Sequence, residues 1–235
     1  MTDKRIVLVT GASKGIGRAA ALKLARDGAH VIALARSTEA LEALDDEARS
    51  ETGDGITIIT MDLKDPSSID RLAAPLLERF GRLDGLLANA GVLGPLGPLQ
   101  TANPRSVEDV FNVNLTANWR LIRALDPLLR NSKAGRALFV TSGVTERPRA
   151  FWGPYQASKA GLEYLVKAWA FENEQSPLRI NLFDPGAVRT DMRFSAVPGE
   201  DQSKLPTPAA VAEKMAFYLT LACELHNQRI DYRKL

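Results

Sequence analysis

The chain has little of several things that mark whole protein classes. It carries one cysteine, Cys223, so no internal disulfide can form and a reducing compartment is expected. Its two histidines, His30 and His226, lie far apart without clustered acids, and no metal site is expected. Neither sign of charge dominates: 30 Lys plus Arg against 28 Asp plus Glu leave a formal net charge of +2. That balance gives no reason to expect nucleic acid as a partner. The opening apolar run, Ile6 to Val9, is too short for a signal-peptide core or a membrane span. Repeats, charge blocks and linkers are missing as well. What is there is ordinary: 235 residues, 45% hydrophobic and 25% charged, enough for a sizeable core. A cytoplasmic globular domain with a small-molecule partner is the expectation.

Short aliphatic runs at residues 6–10, 30–35, 56–61, 85–89, 137–141 and 179–183 alternate with stretches of helical length, and a last run lies at 229–232. Runs without polar alternation suit strands buried on both faces of a parallel sheet. Gly28, Gly53 and Gly81 follow helical patterns and suit helix ends. Asp65-Pro66, Asn103-Pro104 and Thr207-Pro208 each pair a capping side chain with a proline at the first helical position. The alternation predicts an α/β fold, a single doubly wound domain over residues 1–235 with a mostly parallel sheet. Its cofactor half would span about 1–135 and its catalytic and substrate half about 136–235.

The first run leads into Thr10-Gly11-Ala12-Ser13-Lys14-Gly15-Ile16-Gly17 and then a helix. Glycines at a strand–helix turn let backbone approach a diphosphate, whose charge the free N–H groups and helix dipole attract. The spacing G-x-x-x-G-x-G is neither the common G-x-G-x-x-G fingerprint nor a P-loop. This segment resembles the short-chain dehydrogenase/reductase family in its compact one-domain form, and later motifs extend the resemblance over nearly the whole chain. The family implies a seven-stranded Rossmann-type sheet with a nicotinamide cofactor across the carboxyl ends of its strands.

An NAD site usually has an acid about 20 residues past the glycine turn. Here Arg36 stands at that place, followed by Ser37. A guanidinium cannot accept the ribose hydroxyl bond but can clamp a 2′-phosphate. Lys14 adds a second cation, and Ser13 and Ser37 add hydroxyls, so NADP(H) is expected ahead of NAD(H). Glu39 could instead neutralise Arg36. The resemblance assigns Asp62-Leu63 to the adenine and Asn89-Ala90-Gly91 to the adenosine ribose. Ala88 replaces the first Asn of the family's N-N-A-G motif.

Ser142 comes directly after the fifth run, and Tyr155-Gln156-Ala157-Ser158-Lys159 follows. Pro154 suits a helix start, which puts Tyr155 and Lys159 one turn apart on one face. A phenol titrates near 10, and a neighbouring ammonium favours its phenolate. Tyr-x-x-x-Lys is a weak signal alone in a chain with four tyrosines. Its place after Ser142 and two glycine turns makes the resemblance strong. The family then implies Ser142 orienting the substrate oxygen, Tyr155 as proton donor or acceptor, and Lys159 as its electrostatic partner. Asn114 sits in a cluster of three Asn and a Thr, residues that compete for backbone bonds and predict a helix distortion. The resemblance makes Asn114 a fourth catalytic member, supporting a water relay. It also assigns Pro185, Gly186, Val188 and Thr190 to the nicotinamide, with Tyr155, Lys159, Gly11, Gly15, Ile16 and Gly17 completing the cofactor contacts.

The implied activity is hydride transfer between NADP(H) and a small carbonyl or alcohol. A catalytically silent NADP(H)-binding sensor on the same fold is the alternative, and an extended-type epimerase would need more chain after the sixth strand. Val92, Leu93, Leu96, Val144, Phe151, Trp152, Met192 and Phe194 would surround the substrate, with Arg147, Arg149 and Arg193 available for an anionic group. Residues 193–206, rich in proline and charge, suit a mobile lid. Leu162, Leu165, Val166, Trp169 and Ala170 give the helix after Pro154 a broad apolar surface, which the family uses for a homodimer. The usual Asp-Gly-Gly after the last strand is missing, which weakens the case for a tetramer.

Overall fold

The computed structural model describes residues 4–235. Among the described residues seven strands form one sheet: β1 (Ile6–Thr10), β2 (His30–Ala35), β3 (Thr57–Thr60), β4 (Gly85–Ala88), β5 (Arg136–Val140), β6 (Arg179–Asp184) and β7 (Arg229–Asp231). Their spatial order is β3-β2-β1-β4-β5-β6-β7, and every pairing is parallel. The expected α/β doubly wound architecture is therefore observed. Each strand lies within a residue or two of its place in the sequence, and the third is shortened at both ends.

Strand burial explains the lack of polar alternation. In β1 and β2, Val7, Val9, Val31 and Ala33 enter one core layer while Ile6, Leu8, Ile32 and Leu34 enter the opposite one. Leu138 and Val140 of β5 likewise face away from Ala137 and Phe139. A period of two is present, but both phases are apolar because helices cover both faces.

Those helices are α1 (Gly15–Arg26), α2 (Thr38–Thr52), α3 (Pro66–Asp70), α4 (Ala73–Phe80), α5 (Pro104–Phe111), α6 (Ala117–Arg130), α7 (Gly153–Phe171), α8 (Asp191–Ala196) and α9 (Pro208–Phe217). One layer takes in Leu22, Leu24, Val211 and Met215 from α1 and α9; the other takes in Leu121, Leu125, Leu162 and Val166 from α6 and α7. Sequence signals set the ends. Asp65, Asn103 and Thr207 accept hydrogen bonds from Ser67, Ser106 and Ala210 backbone amides, and Gly53 and Gly81 close α2 and α4 with φ of 78° and 72°.

One expectation is corrected by packing. Leu162, Val166, Trp169 and Ala170 are buried in this chain's own core, and Leu165 packs against it. They leave no surplus apolar surface. The exposed hydrophobics of that region are Tyr164 and Phe171 on α7 and Trp119 on α6.

The strand order reverses between β1 and β4. A crevice opens there at the carboxyl ends, the place where open α/β sheets hold ligands.

Candidate active site

A cleft of about 510 Å³ crosses the carboxyl edge of the sheet. Its floor is the glycine turn between β1 and α1, where Gly11, Ser13, Lys14, Gly15 and Ile16 line the wall. The first N–H groups of a helix have no partner within it, so the start of α1 offers donors to an anion. Gly11 has φ +68°, and a Cβ there would come within 2.9 Å of the Ala90 backbone. A side chain at Gly17 would collide with the Gly11 carbonyl and the Asn89 amide, so Gly17 holds the turn closed from behind rather than lining the cleft.

Asn89 locks this turn to its neighbour. Its side-chain amide donates to the Thr10 carbonyl at 3.1 Å and to the Gly11 carbonyl at 3.4 Å. The Thr10 hydroxyl accepts from the Asn89 and Ala90 backbone amides at 3.1 and 3.0 Å. Ala88, the substituted position, is simply buried in the core and leaves this network intact.

At the far end of the cleft, Arg36 lies at the mouth beside Ala35, Met61, Asp62 and Leu63. Among the described residues no ion pair joins it to Glu39. Ser37 is outside the lining; its hydroxyl oxygen caps α2 by accepting from the Ala40 amide at 3.2 Å. Lys14 is exposed and paired with Asp191 at 3.0 Å. The Asp62 carboxylate accepts from the Lys64 backbone amide at 2.9 Å, folding its own loop.

The other wall carries the expected catalytic side chains. Ser142, Tyr155 and Lys159 all face the cleft. Tyr155 and Lys159 are both buried on α7, one turn apart. Burial pushes the Tyr155 phenol up to about 12; hydrogen bonding with the Ser142 side chain opposes this, and the Asp184 charge adds to it. Burial likewise lowers the Lys159 ammonium to about 8, against the pull of Glu163. The Lys159 Nζ donates to the Val140 carbonyl at 2.8 Å, which ties α7 to the end of β5.

The predicted distortion at the Asn cluster is a π-turn, Asn112–Thr116, between α5 and α6. It brings Asn114 to the back of the cleft, although Asn114 is not part of the lining. Its amide is fully used: Oδ1 accepts from the Val92 amide at 2.9 Å, and Nδ2 donates to the Val92 carbonyl at 2.9 Å and to Ser158 Oγ at 3.0 Å. Ser158 in turn donates to the Tyr155 carbonyl at 2.7 Å. Asn114 thus straps the Gly91–Val92 turn to the turn of α7 that bears Tyr155. Its own carbonyl accepts from the Asn118 side-chain amide at 2.9 Å. A Cβ at Gly91 would sit 3.2 Å from Asn114 Oδ1 and 3.5 Å from Lys159 Nζ, so those groups flank one backbone position.

The third wall follows β6. Pro185, Gly186, Val188 and Thr190 line it, and the Thr190 hydroxyl caps α8 by accepting from the Arg193 amide at 3.2 Å. Of the residues expected around a substrate, Val92, Leu93, Trp152, Met192 and Arg193 line the cleft. Leu96, Val144, Phe151, Phe194, Arg147 and Arg149 do not. Arg193 is already paired with Glu200 through two bonds, of which the Nη2–Oε1 contact is 2.5 Å.

The profile of the family described as short chain dehydrogenase matches residues 5–201. The chain belongs to the short-chain dehydrogenase family. It is 44% identical over 223 residues to the Escherichia coli K12 protein named uncharacterized oxidoreductase YciK, covering 94% of this chain and 87% of the relative. An NADPH-dependent pterin aldehyde reductase of Arabidopsis thaliana is 34% identical over 212 residues, covering 90% and 86% of the two chains. Among solved structures, an Escherichia coli CFT073 short chain dehydrogenase complexed with NADPH superposes with a TM-score of 0.93 at 40% identity, covering 98% of this chain and 97% of that one. The protein is thus an oxidoreductase of the short-chain dehydrogenase family, with the family's Rossmann-like sheet.

Sequence reasoning overlooked one feature of the site. Arg229 and Arg233, near the carboxyl terminus, reach two buried carboxylates behind the cleft, Glu163 and Asp184. The missing Asp-Gly-Gly was the available signal, because it marked this segment as unlike the family.

Proposed function

We propose that the protein reduces a carbonyl group of a small molecule with NADPH, and oxidises the matching alcohol in reverse. The observation that carries this reading is the burial of Tyr155 beside Ser142, on the wall facing the glycine turn across one cleft. A phenol held near 12 is fully protonated at neutral pH, which is the state a proton donor needs.

The residues fit a dinucleotide. Gly11 and Gly15 keep the turn free of side chains at its closest approaches, and α1 presents backbone donors. Arg36, without an ion-pair partner among the described residues, suits a 2′-phosphate and favours NADP(H) over NAD(H). Leu63, Asn89, Ala90 and Gly91 would meet the adenosine portion with Asp62, and Pro185, Gly186, Val188 and Thr190 the nicotinamide. When bound, NADPH supplies the hydride.

The chain's own residues do the rest. Ser142 holds the carbonyl oxygen by donating to it. As the C=O π bond opens and a C–H bond forms, Tyr155 Oη gives its proton to the oxygen, completing the alcohol. The Lys159 ammonium stabilises the phenolate left behind. Val92, Leu93, Trp152 and Met192 exclude water around the reacting carbon. Residues 193–206 act as a lid, tied at its base where the Arg189 amide donates to the Pro206 carbonyl at 3.0 Å. We place the enzyme in the cytoplasm as a homodimer or tetramer, with Tyr164 and Trp119 at the subunit contact.

A panel of aliphatic and aromatic aldehydes, ketones and α-dicarbonyls, followed by loss of NADPH absorbance, tests the reading. Turnover of one class is expected. Tyr155→Phe should lower kcat by about 10³-fold while leaving NADPH affinity within about twofold. NADPH binding without turnover across the panel would support the sensor instead.

A further inference from the structure

Behind the catalytic wall lies a cluster of ionic groups that the reaction itself does not use. Glu163 stands one helical turn beyond Lys159 on α7, with its carboxylate buried. Its Oε1 accepts from the Thr141 hydroxyl at 2.6 Å, the Thr145 hydroxyl at 2.8 Å and Arg229 Nε at 3.0 Å. Asp184, at the end of β6, is buried too. Its Oδ1 accepts from the Gly186 amide at 3.0 Å, and its Oδ2 from Arg229 Nη2 at 3.1 Å and Arg233 Nη2 at 3.2 Å.

Arg229 joins α7, the end of β6 and the Ser142 turn. Besides Glu163 and Asp184, it donates to the Ser142 carbonyl at 3.3 Å and pairs with Glu146 at 2.9 Å. Arg233 lies against both glycine positions next to the site. A Cβ on Gly186 would be 3.3 Å from its side-chain carbons, and one on Gly143 would be 3.6 Å from its Nη2. Its guanidinium is held by Asp231, with the Nη2–Oδ2 contact at 2.6 Å. Two carboxylates inside a core are costly unless each is paired and hydrogen-bonded. Lys167 Nζ stands 3.9 Å from the second Glu163 oxygen, but the close pairing of both carboxylates comes from Arg229 and Arg233, anchored by parallel pairing of β7 on β6.

We propose that Arg229 and Arg233 are positioning residues for the reaction. By drawing the Ser142 turn, α7 and the Pro185–Gly186 turn onto two shared carboxylates, they hold the Ser142 hydroxyl and the Tyr155 phenol at one fixed separation. Neither arginine touches substrate. The inference rests on the reading of Ser142 and Tyr155 given above. Rates fall steeply when catalytic groups are misplaced by a fraction of an ångström to an ångström, so the effect belongs in kcat. Cofactor affinity, set chiefly by Arg36 and the glycine turn on the opposite half of the same carboxyl edge, should change little even though the Pro185–Gly186 turn meets the nicotinamide.

The test compares the parent with Tyr155→Phe, Arg229→Gln, Arg229→Lys and Arg233→Gln, using NADPH and the panel carbonyl turned over fastest. Arg229→Gln is expected to lower kcat by roughly 30-fold with KM for NADPH within about twofold. Arg229→Lys, which keeps the charge but loses the fork, should recover about fivefold of that loss. Arg233→Gln should cost about fivefold in kcat. If Arg229→Gln does not fold, Arg233→Gln carries the test, because its side chain is 55% exposed. A folded Arg229→Gln or Arg233→Gln enzyme with parental kcat overturns the proposal. So does a lysine variant no better than glutamine, or a loss confined to KM for NADPH. An active Tyr155→Phe enzyme defeats the functional reading and the proposal with it. A dead Tyr155→Phe beside a fully active Arg229→Gln defeats the proposal alone.

Discussion

Two lysines of the cleft show how differently its ends are built. Lys14, in the glycine turn, is 74% exposed and meets a carboxylate that is 79% exposed. Lys159, on α7, is 3% exposed and donates to a backbone carbonyl inside the protein. The first sits in water, where charge is screened and cheap to rearrange. The second sits where charge is costly and therefore effective on its neighbours. Binding preference at one end can be altered by exchanging surface ions. Under the proposed reading, chemistry at the other depends on groups fixed by burial.

The sharpest way to break that contrast is Lys159→Met. With Lys159 as the ammonium beside Tyr155, its loss should reduce kcat by about 10²- to 10³-fold. Stability should move the other way. Lowering the ammonium from 10.5 to about 8 corresponds to about 3 kcal/mol of destabilisation while the group is charged. Methionine removes that cost but leaves the Val140 carbonyl without its donor, so a net gain of about 1–2 kcal/mol is expected at pH 7. The sign follows from protons bound. Below pH 8 both folded and unfolded chains carry the charge and the cost is complete. Between 8 and 10.5 the folded lysine is neutral while the unfolded one is charged, so the parent gains stability and the difference closes. Thermal unfolding of both proteins from pH 7 to 10 measures it. The parent's kcat/KM for NADPH should fall through the same region near pH 8 as the ammonium is lost.

Arg36→Asp probes the exposed end, with an effect second in size. A charge-assisted clamp on a 2′-phosphate is worth roughly 10- to 100-fold in affinity, and an aspartate there would repel the phosphate and accept from a ribose hydroxyl. The ratio of kcat/KM for NADPH over NADH should drop by about 10²-fold or more. Turnover at saturating cofactor should change little, since Ser142, Tyr155 and Lys159 are untouched. An unchanged ratio would remove Arg36 from the cofactor site.

The same contrast explains what could be read from the residues. Strands were legible because each is an apolar run between turn residues. The doubly wound parallel sheet followed from the β-α alternation, and a helix distortion, though not its π form, from three Asn crowded into one helical stretch. Local chemistry within a few residues carried all of these. The groups that failed to show need distance. Arg229 meets Ser142 and Glu163 across 87 and 66 residues, and nothing periodic announces such a pairing. Leu162, Val166 and Trp169 misled for a related reason. Apolar spacing tells which face of a helix is buried, but not whether the chain's own sheet or a second subunit covers it. Ser37, expected from its place after Arg36 to help hold the cofactor, lies outside the cleft lining and caps α2, its hydroxyl oxygen accepting from the Ala40 amide.

The smallest effect expected is at Asp191, and it runs against intuition because removing an ion pair should improve binding. Asp191 begins α8 and holds Lys14 across the cleft mouth at 3.0 Å. An incoming dinucleotide phosphate must compete with that carboxylate for Lys14 and also sits near its negative charge. Asp191→Asn frees the lysine and deletes the repulsion, while Thr190 still caps α8. NADPH should bind about two- to fivefold tighter at low ionic strength, read as Kd by fluorescence titration. Both partners are exposed, so about 0.5 M salt should erase the gain. If Lys14 serves the 2′-phosphate together with Arg36, the gain for NADPH exceeds that for NADH; an equal gain for both would assign Lys14 to the diphosphate and leave cofactor choice to Arg36 alone.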